Sequence, residues 1–157
     1  MTYTIDQIVP HSGKMSLLDT LINYGDEYLE AGVTLHSHSM FATEQGVPAW
    51  IGIEYLAQAI GAFAGLQERL NGGEPKIGFL VGTRKYDTNV EWFALGSTLI
   101  IRAEREMVAD NGLSVFQCDL SGTLPGETAA SIWASARLNV YQPEDVEAYM
   151  KSLKASQ

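Results

Sequence analysis

From Val47 to Leu66 the chain runs apolar within a helix expected from about Pro48 to Leu70, and one carboxylate and one amide interrupt its opening stretch. In Val47-Pro48-Ala49-Trp50-Ile51-Gly52-Ile53-Glu54-Tyr55-Leu56-Ala57-Gln58 those two groups are Glu54 and Gln58. A carboxylate inside an apolar helix is expected to be buried and to lose hydration. Its pKa then rises, and it is either a costly structural feature or a group held ready for proton transfer. Gln58 follows four residues later on the same helix face, where its amide can orient Glu54 or a water between them.

A stretch of about twenty mostly uncharged residues also has the length of a membrane span. Pro48, Gly52, Gly61 and Gly65 argue against one, as does a carboxylate costing roughly 3 kcal/mol at mid-bilayer. Flanking basic residues are missing too. The expectation is the central helix of a soluble core, with Ala57, Ala59, Ala62 and Ala64 letting a curved sheet approach closely.

The 157 residues, 46% of them hydrophobic, suit one well-buried core and a single domain spanning 1–157. A lone cysteine, Cys118, cannot form an internal disulfide, and no charged-then-apolar leader precedes Tyr3. A cytoplasmic location is expected on those grounds. The net charge of −9 opposes general binding to nucleic acid or anionic lipid.

Around the central helix the pattern is almost entirely strand. Thr4 to Val9 reads as a short lead helix closed by Pro10, and His11 to Met15 as loop. Leu17 to Tyr24 and Tyr28 to His36 form a hairpin about Gly25-Asp26, the second strand placing Leu29, Ala31, Val33 and Leu35 on one face. Asn71-Gly72-Gly73 stops the helix. Lys76 to Thr83 and Val90 to Phe93 are short strand candidates. Thr98 to Val108 and Leu113 to Leu124 flank Asp110-Asn111-Gly112, a hairpin signal. Ala130, Ile132, Ala134, Ala136, Leu138 and Val140 alternate along a final strand, and a helix from about Pro143 to Leu153 is expected to close the chain.

Two strands, one long helix and an antiparallel meander give an α+β fold in which a sheet wraps a single helix. That order is the hotdog arrangement, and here residues 5 to 141 resemble a family, the (3R)-hydroxyacyl-ACP dehydratases. Ile8-Val9-Pro10-His11 and Met15-Ser16-Leu17-Leu18-Asp19 resemble the family's Leu-Pro-His opening and its first strand ending in Val-Asp. The stretch from Val47 to Gln58 is similar to its Pro-Gly-x-x-x-x-Glu-x-x-Ala-Gln helix start, with Ala49 in place of glycine. Phe79-Leu80-Val81-Gly82, Lys85-Tyr86 and Leu95-Gly96-Ser97 resemble its later segments. Within the family the likeness is greatest to the ApeP-type proteins of aryl polyene pathways.

The resemblance implies elimination of water from a 3-hydroxyacyl thioester carried on acyl carrier protein, in fatty acid or aryl polyene synthesis. In that reaction a histidine removes the C2 proton, a helix N-terminus polarises the thioester carbonyl and a carboxylate protonates the leaving hydroxyl. Glu54 matches the carboxylate, Gln58 its orienting neighbour, and the backbone N–H groups of Ala49 and Trp50 the oxyanion site. No cofactor or metal is implied. The family's histidine lies in Gly-His-Phe-Pro-Gly, fourteen residues before the carboxylate, and Met40 holds that position here. His38, two residues earlier, is the candidate base. The resemblance also implies a homodimer or a heterodimer with another hotdog chain, and the final strand offers backbone on which such assembly can rest.

Alternatives stand beside these assignments. The alternative for Glu54 is a core carboxylate satisfied by Gln58 or a backbone donor, for His38 a polar residue at a strand end, and for Gln58 ordinary packing. His36 and His38 share a strand face without a third metal ligand nearby, and His11 reads as structural. Arg84 and Lys85, with Lys76 upstream, suit either contact with an acidic carrier protein or simple solvation. Met15, Met40, Phe63, Phe79 and Trp92 read as an acyl tunnel or as core. The whole chain reads as a dehydratase, as a non-catalytic hotdog subunit supporting one, or as a hotdog thioesterase.

Overall fold

A six-stranded antiparallel sheet curves around one long helix. The computed structural model describes residues 3–8, 17–72, 79–109 and 111–141. His11, Met15, Lys76 and the helix expected from about Pro143 lie outside them. In chain order the elements are α1 (Ile5–Ile8), β1 (Thr20–Tyr24), β2 (Tyr28–Thr34), β3 (Val47–Pro48), a 3-10 turn (Ala49–Ile51) and α2 (Gly52–Leu70). Five strands follow: β4 (Phe79–Thr88), β5 (Trp92–Phe93), β6 (Thr98–Val108), β7 (Leu113–Thr123) and β8 (Ile132–Tyr141). The strand order is β1-β2-β6-β7-β8-β4, with β3 and β5 forming a separate two-stranded ribbon.

Period-2 alternation decides which sheet face meets the helix. Leu29, Ala31 and Val33 of β2, Leu99, Ile101 and Ala103 of β6, Phe116, Cys118 and Leu120 of β7, and Ile132, Ala134, Ala136 and Leu138 of β8 are all buried. Against them α2 sets Tyr55, Leu56, Ala59, Ile60, Ala62, Phe63 and Leu66. Phe63 meets Phe116 edge-on at 5.6 Å between ring centres, which makes Phe63 a core residue and not part of a tunnel wall. Although α2 has the length and apolar character of a membrane span, most of it is buried inside the fold.

Two helices approach without side chains between them. A β-carbon on Gly65 would collide with the Ile8 carbonyl oxygen, so this glycine lets α1 lie directly on α2. Arg69 Nε, one turn on, donates to the Gln7 carbonyl at 2.8 Å and fixes the contact.

The extent of β4 and the place of β8 in the sheet differ from the sequence expectation. β4 runs to Thr88, five residues past the expected end, because the chain takes up an irregularity between Arg84 and Asp87 and then resumes pairing with Ser135 and Ala134 of β8. Lys85 provides the kink with a left-handed φ of 48°. β8 is also not an edge. It pairs with β7 on one side and β4 on the other, so its backbone is not available to a second chain; β1 and β4 are the edges.

Candidate functional site

The start of α2 is held from three directions. Val47 and Pro48 pair with Phe93 and Trp92, and Pro48, at φ −54° and ψ 135°, turns the extended chain into the 3-10 turn. The Ala49 N–H donates to the Glu91 carbonyl at 3.0 Å. The Tyr86 hydroxyl, reaching over from β4, donates to the Ala49 carbonyl at 2.6 Å, and Gly52 leaves room for that ring.

This arrangement corrects one half of the expected oxyanion site. Ala49 is buried and its N–H is already engaged by Glu91, so it has no donor to offer a thioester. Trp50 differs. Its N–H has no partner among the described residues and its side chain is 67% exposed. The free donor at this helix start is therefore Trp50.

Glu54 is exposed in the folded chain, which corrects the expectation of a buried carboxylate. The reason is helical geometry. Tyr55, Leu56, Ala59 and Phe63 turn toward the sheet, and the opposite face carries Trp50, Glu54, Ala57, Gly61 and Ala64, all exposed or half-buried. An apolar run does not have to be covered on every side. Gln58 sits half-buried beside that face, and its Oε1 accepts the Leu17 N–H at 2.7 Å. That bond ties the segment before β1 to the helix and gives the amide oxygen a partner other than Glu54.

His36 and His38 lie past the end of β2, in a turn and not on a shared strand face. The His36 N–H donates to Ser39 Oγ at 2.9 Å, and the His38 N–H donates to His36 Nδ1 at 3.1 Å. Phe41, with a left-handed φ of 69°, turns the loop back and is 48% exposed. Among the described residues no group of three His, Cys, Asp or Glu is placed to hold a metal.

Beneath this loop is a cavity of about 430 Å³, walled by Leu17, Leu35 and Met40 and faced by Asp19, His36, His38 and Tyr55. Met40, the residue at the family's histidine position, thus shares the cavity with His38. Glu54 does not line it. Tyr55 does, and its hydroxyl is pushed up to about 12, first by burial and then by the negative charge of Asp19. Burial likewise holds the Tyr86 hydroxyl up to about 12. Both stay protonated donors at neutral pH.

Sequence reasoning passed over these two tyrosines and Asp19, whose Oδ2 accepts the Thr34 N–H at 2.8 Å. Tyr55 carried a signal, a hydroxyl directly after Glu54 in an apolar run. Tyr86 stood only in the Lys85-Tyr86 likeness to the family, with no role attached, since only the topology brings β4 to the helix start. Arg84 and Lys85 lie exposed on that edge strand. Lys85 Nζ is 3.7 Å from Asp87, and Arg84 stands opposite Arg137 in the register with β8.

The family model for ApeP-like proteins, ApeP dehydratases, matches residues 3–151. The chain belongs to the ApeP-like family. Among solved structures, the dehydratase heterocomplex ApeI:P from Xenorhabdus doucetiae is 27% identical over 96% of this chain and 97% of that one, with a TM-score of 0.79. Thioesterase superfamily member 2 from Mus musculus is 16% identical over 78% and 80%, with a TM-score of 0.56. An acyl-CoA hydrolase from Agrobacterium tumefaciens is 14% identical over 79% and 47%, with a TM-score of 0.61. The thioesterase likenesses establish the hotdog fold alone. No curated protein sequence matches the chain. This ApeP-like chain is a hotdog protein of a dehydratase family, with its helix-borne carboxylate on an uncovered face and a histidine-lined cavity that Glu54 does not line.

Proposed function

We infer that this ApeP-like protein acts in the dehydration of 3-hydroxyacyl thioesters on acyl carrier protein, as one member of a pair of hotdog chains. The observation that carries the reading is the position of Glu54, exposed in the first turn of α2 beside the exposed Trp50 and its free N–H. A carboxylate in open water is a poor proton donor at neutral pH. Covered by a second chain it is shielded from water and can face a leaving hydroxyl, while Trp50 N–H and the helix dipole steady the thioester oxygen.

A similar dehydratase structure is a heterocomplex, which supports a second hotdog chain as that cover. The chemistry then divides simply. Glu54 supplies the proton to the C3 oxygen as the C3–O bond breaks, and a histidine takes the C2 proton so that the electron pair forms the C2–C3 double bond. His38 is this chain's candidate for that base. Arg84 and Lys85 are exposed on the edge strand and are this chain's candidates for contact with an acidic carrier protein.

One observation favours the supporting-subunit reading: His38 lines the cavity beneath the loop and Glu54 does not. The deciding experiment assays 3-hydroxyacyl-ACP with the purified protein alone and mixed with a hotdog dehydratase subunit from the same cell. Enoyl product that requires Glu54 supports a catalytic role. Turnover of the mixture that is indifferent to both Glu54 and His38 leaves the chain a structural partner.

A further inference from the structure

The carbonyl that Tyr86 holds and the N–H that Trp50 leaves free belong to one peptide group. The Tyr86 hydroxyl donates to the Ala49 carbonyl at 2.6 Å, and the Trp50 N–H, across the same C–N bond, has no partner among the described residues. The group is planar and trans, so its carbonyl and N–H point in opposite directions and turn together. Whatever fixes the carbonyl therefore aims the N–H. The same carbonyl also accepts a backbone N–H at the Gly52 cap, which engages both of its lone pairs.

The edge strand is shaped to bring the hydroxyl there. Arg84 pairs with Arg137 of β8 and Asp87 with Ser135, so Lys85 and Tyr86 together stand against the single residue Ala136. In an unbroken ladder Tyr86 would share the exposed face of Arg84. The extra residue, with Lys85 at a left-handed φ of 48°, reverses the alternation and sends Tyr86 inward to Ala49. Gly52 has no side chain to block it.

A hydrogen bond to a carbonyl draws electron density from the amide nitrogen and makes the N–H on it a stronger donor. The Tyr86 hydroxyl keeps its proton for this at neutral pH, since burial pushes its pKa up to about 12.

We propose that Tyr86 is a positioning residue for the oxyanion donor: through the Ala49 carbonyl it aims the Trp50 N–H at a thioester oxygen and strengthens its bond to that oxygen. The inference rests on the dehydratase reading for the thioester. Tyr86 touches no substrate, and its effect reaches the reaction through the peptide group alone.

The test is Tyr86→Phe, which keeps the ring and removes only the hydroxyl. The Gly52 cap still serves the Ala49 carbonyl, so the variant should fold. In the isotope-labelled chain, the NMR resonances of the Ala49 carbonyl carbon and the Trp50 amide nitrogen should both move upfield, each having lost the polarisation that the hydroxyl imposed. Removing an oxyanion donor outright costs about 10²- to 10³-fold in kcat, and a bonded neighbour strengthens a hydrogen bond by about 10–30%. In the mixed complex with 3-hydroxyacyl-ACP, Tyr86→Phe should accordingly lower kcat by about two- to eightfold with KM unchanged. Resonances that stay in place overturn the proposal, and so does an unchanged kcat or a loss confined to KM. The dehydratase reading is judged first and by another variant: a mixture in which Glu54→Gln turns over as fast as the unaltered chain refutes that reading, and the proposal with it.

Discussion

The Tyr86 hydroxyl lies in the space that a β-carbon on Gly52 would occupy, and from there it donates to the Ala49 carbonyl at 2.6 Å. An edge strand and the first turn of the central helix are thereby joined at one point. Gly52→Ala should force the ring out and destabilise the fold by about 1–3 kcal/mol. In a Tyr86→Ala background the same substitution should cost close to nothing. Denaturant melts of the four proteins give the coupling, and equal costs in both backgrounds would show the two residues to be independent.

Glu54→Gln should leave the melting of the isolated chain unchanged within about 0.5 kcal/mol, because the carboxylate is exposed there. In the mixed complex it should lower turnover of 3-hydroxyacyl-ACP by about a hundredfold or more, since an amide cannot protonate the leaving hydroxyl. Full turnover with the amide in place would remove Glu54 from the chemistry.

His38→Ala should lower the same turnover by about a hundredfold if its imidazole takes the C2 proton. His36→Ala should have a smaller effect, confined to the loop, where His36 Nδ1 accepts the His38 N–H. Kinetics of the two variants side by side decide the matter. Equal, small losses would assign the base to the partner chain.

Stability should fall in strong alkali through two tyrosines. Tyr55 and Tyr86 hold their protons up to about 12 in the folded chain, against an ordinary value of 10. A raised folded value means the contribution is whole below pH 10 and is lost as the pH climbs toward 12. Melting temperatures across that window, compared with those of Tyr55→Phe and Tyr86→Phe, should show the slope lessened in each variant.

Cys118 is buried in β7, and burial with the neighbouring Asp119 charge raises its thiol pKa further. The native protein should therefore resist a thiol reagent at neutral pH and react fully in denaturant. Rapid labelling of the native chain would mean that β7 opens readily.

Much of the architecture could be read from periodicity alone. The limits of β6 were legible because Leu99, Ile101 and Ala103 alternate up to a Gly112 turn, and β8 showed its buried face through Ile132, Ala134, Ala136 and Leu138. Periodicity says which side of a strand is buried and nothing about which strand lies beside it. The interior place of β8 was hidden for that reason. Glu54 misled because its helical neighbours are apolar on all sides, while Trp50, Ala57 and Gly61 on its own face leave it uncovered. The engagement of Ala49 N–H by Glu91 depends on a ribbon of two-residue strands, too short for any pattern to announce.

The sheet order carries a consequence for how the chain is made. β8 stands between β7 and β4, so the last of the described strands to be made is the one that joins a strand made much earlier to the body of the sheet. Until it arrives, β4 has no neighbour to bond, and Ile132, Ala134, Ala136 and Leu138 are missing from the core. Truncation ahead of Ile132 should accordingly give a chain that binds chaperones and aggregates, whereas one ending just after Tyr141 keeps all six strands of the described sheet.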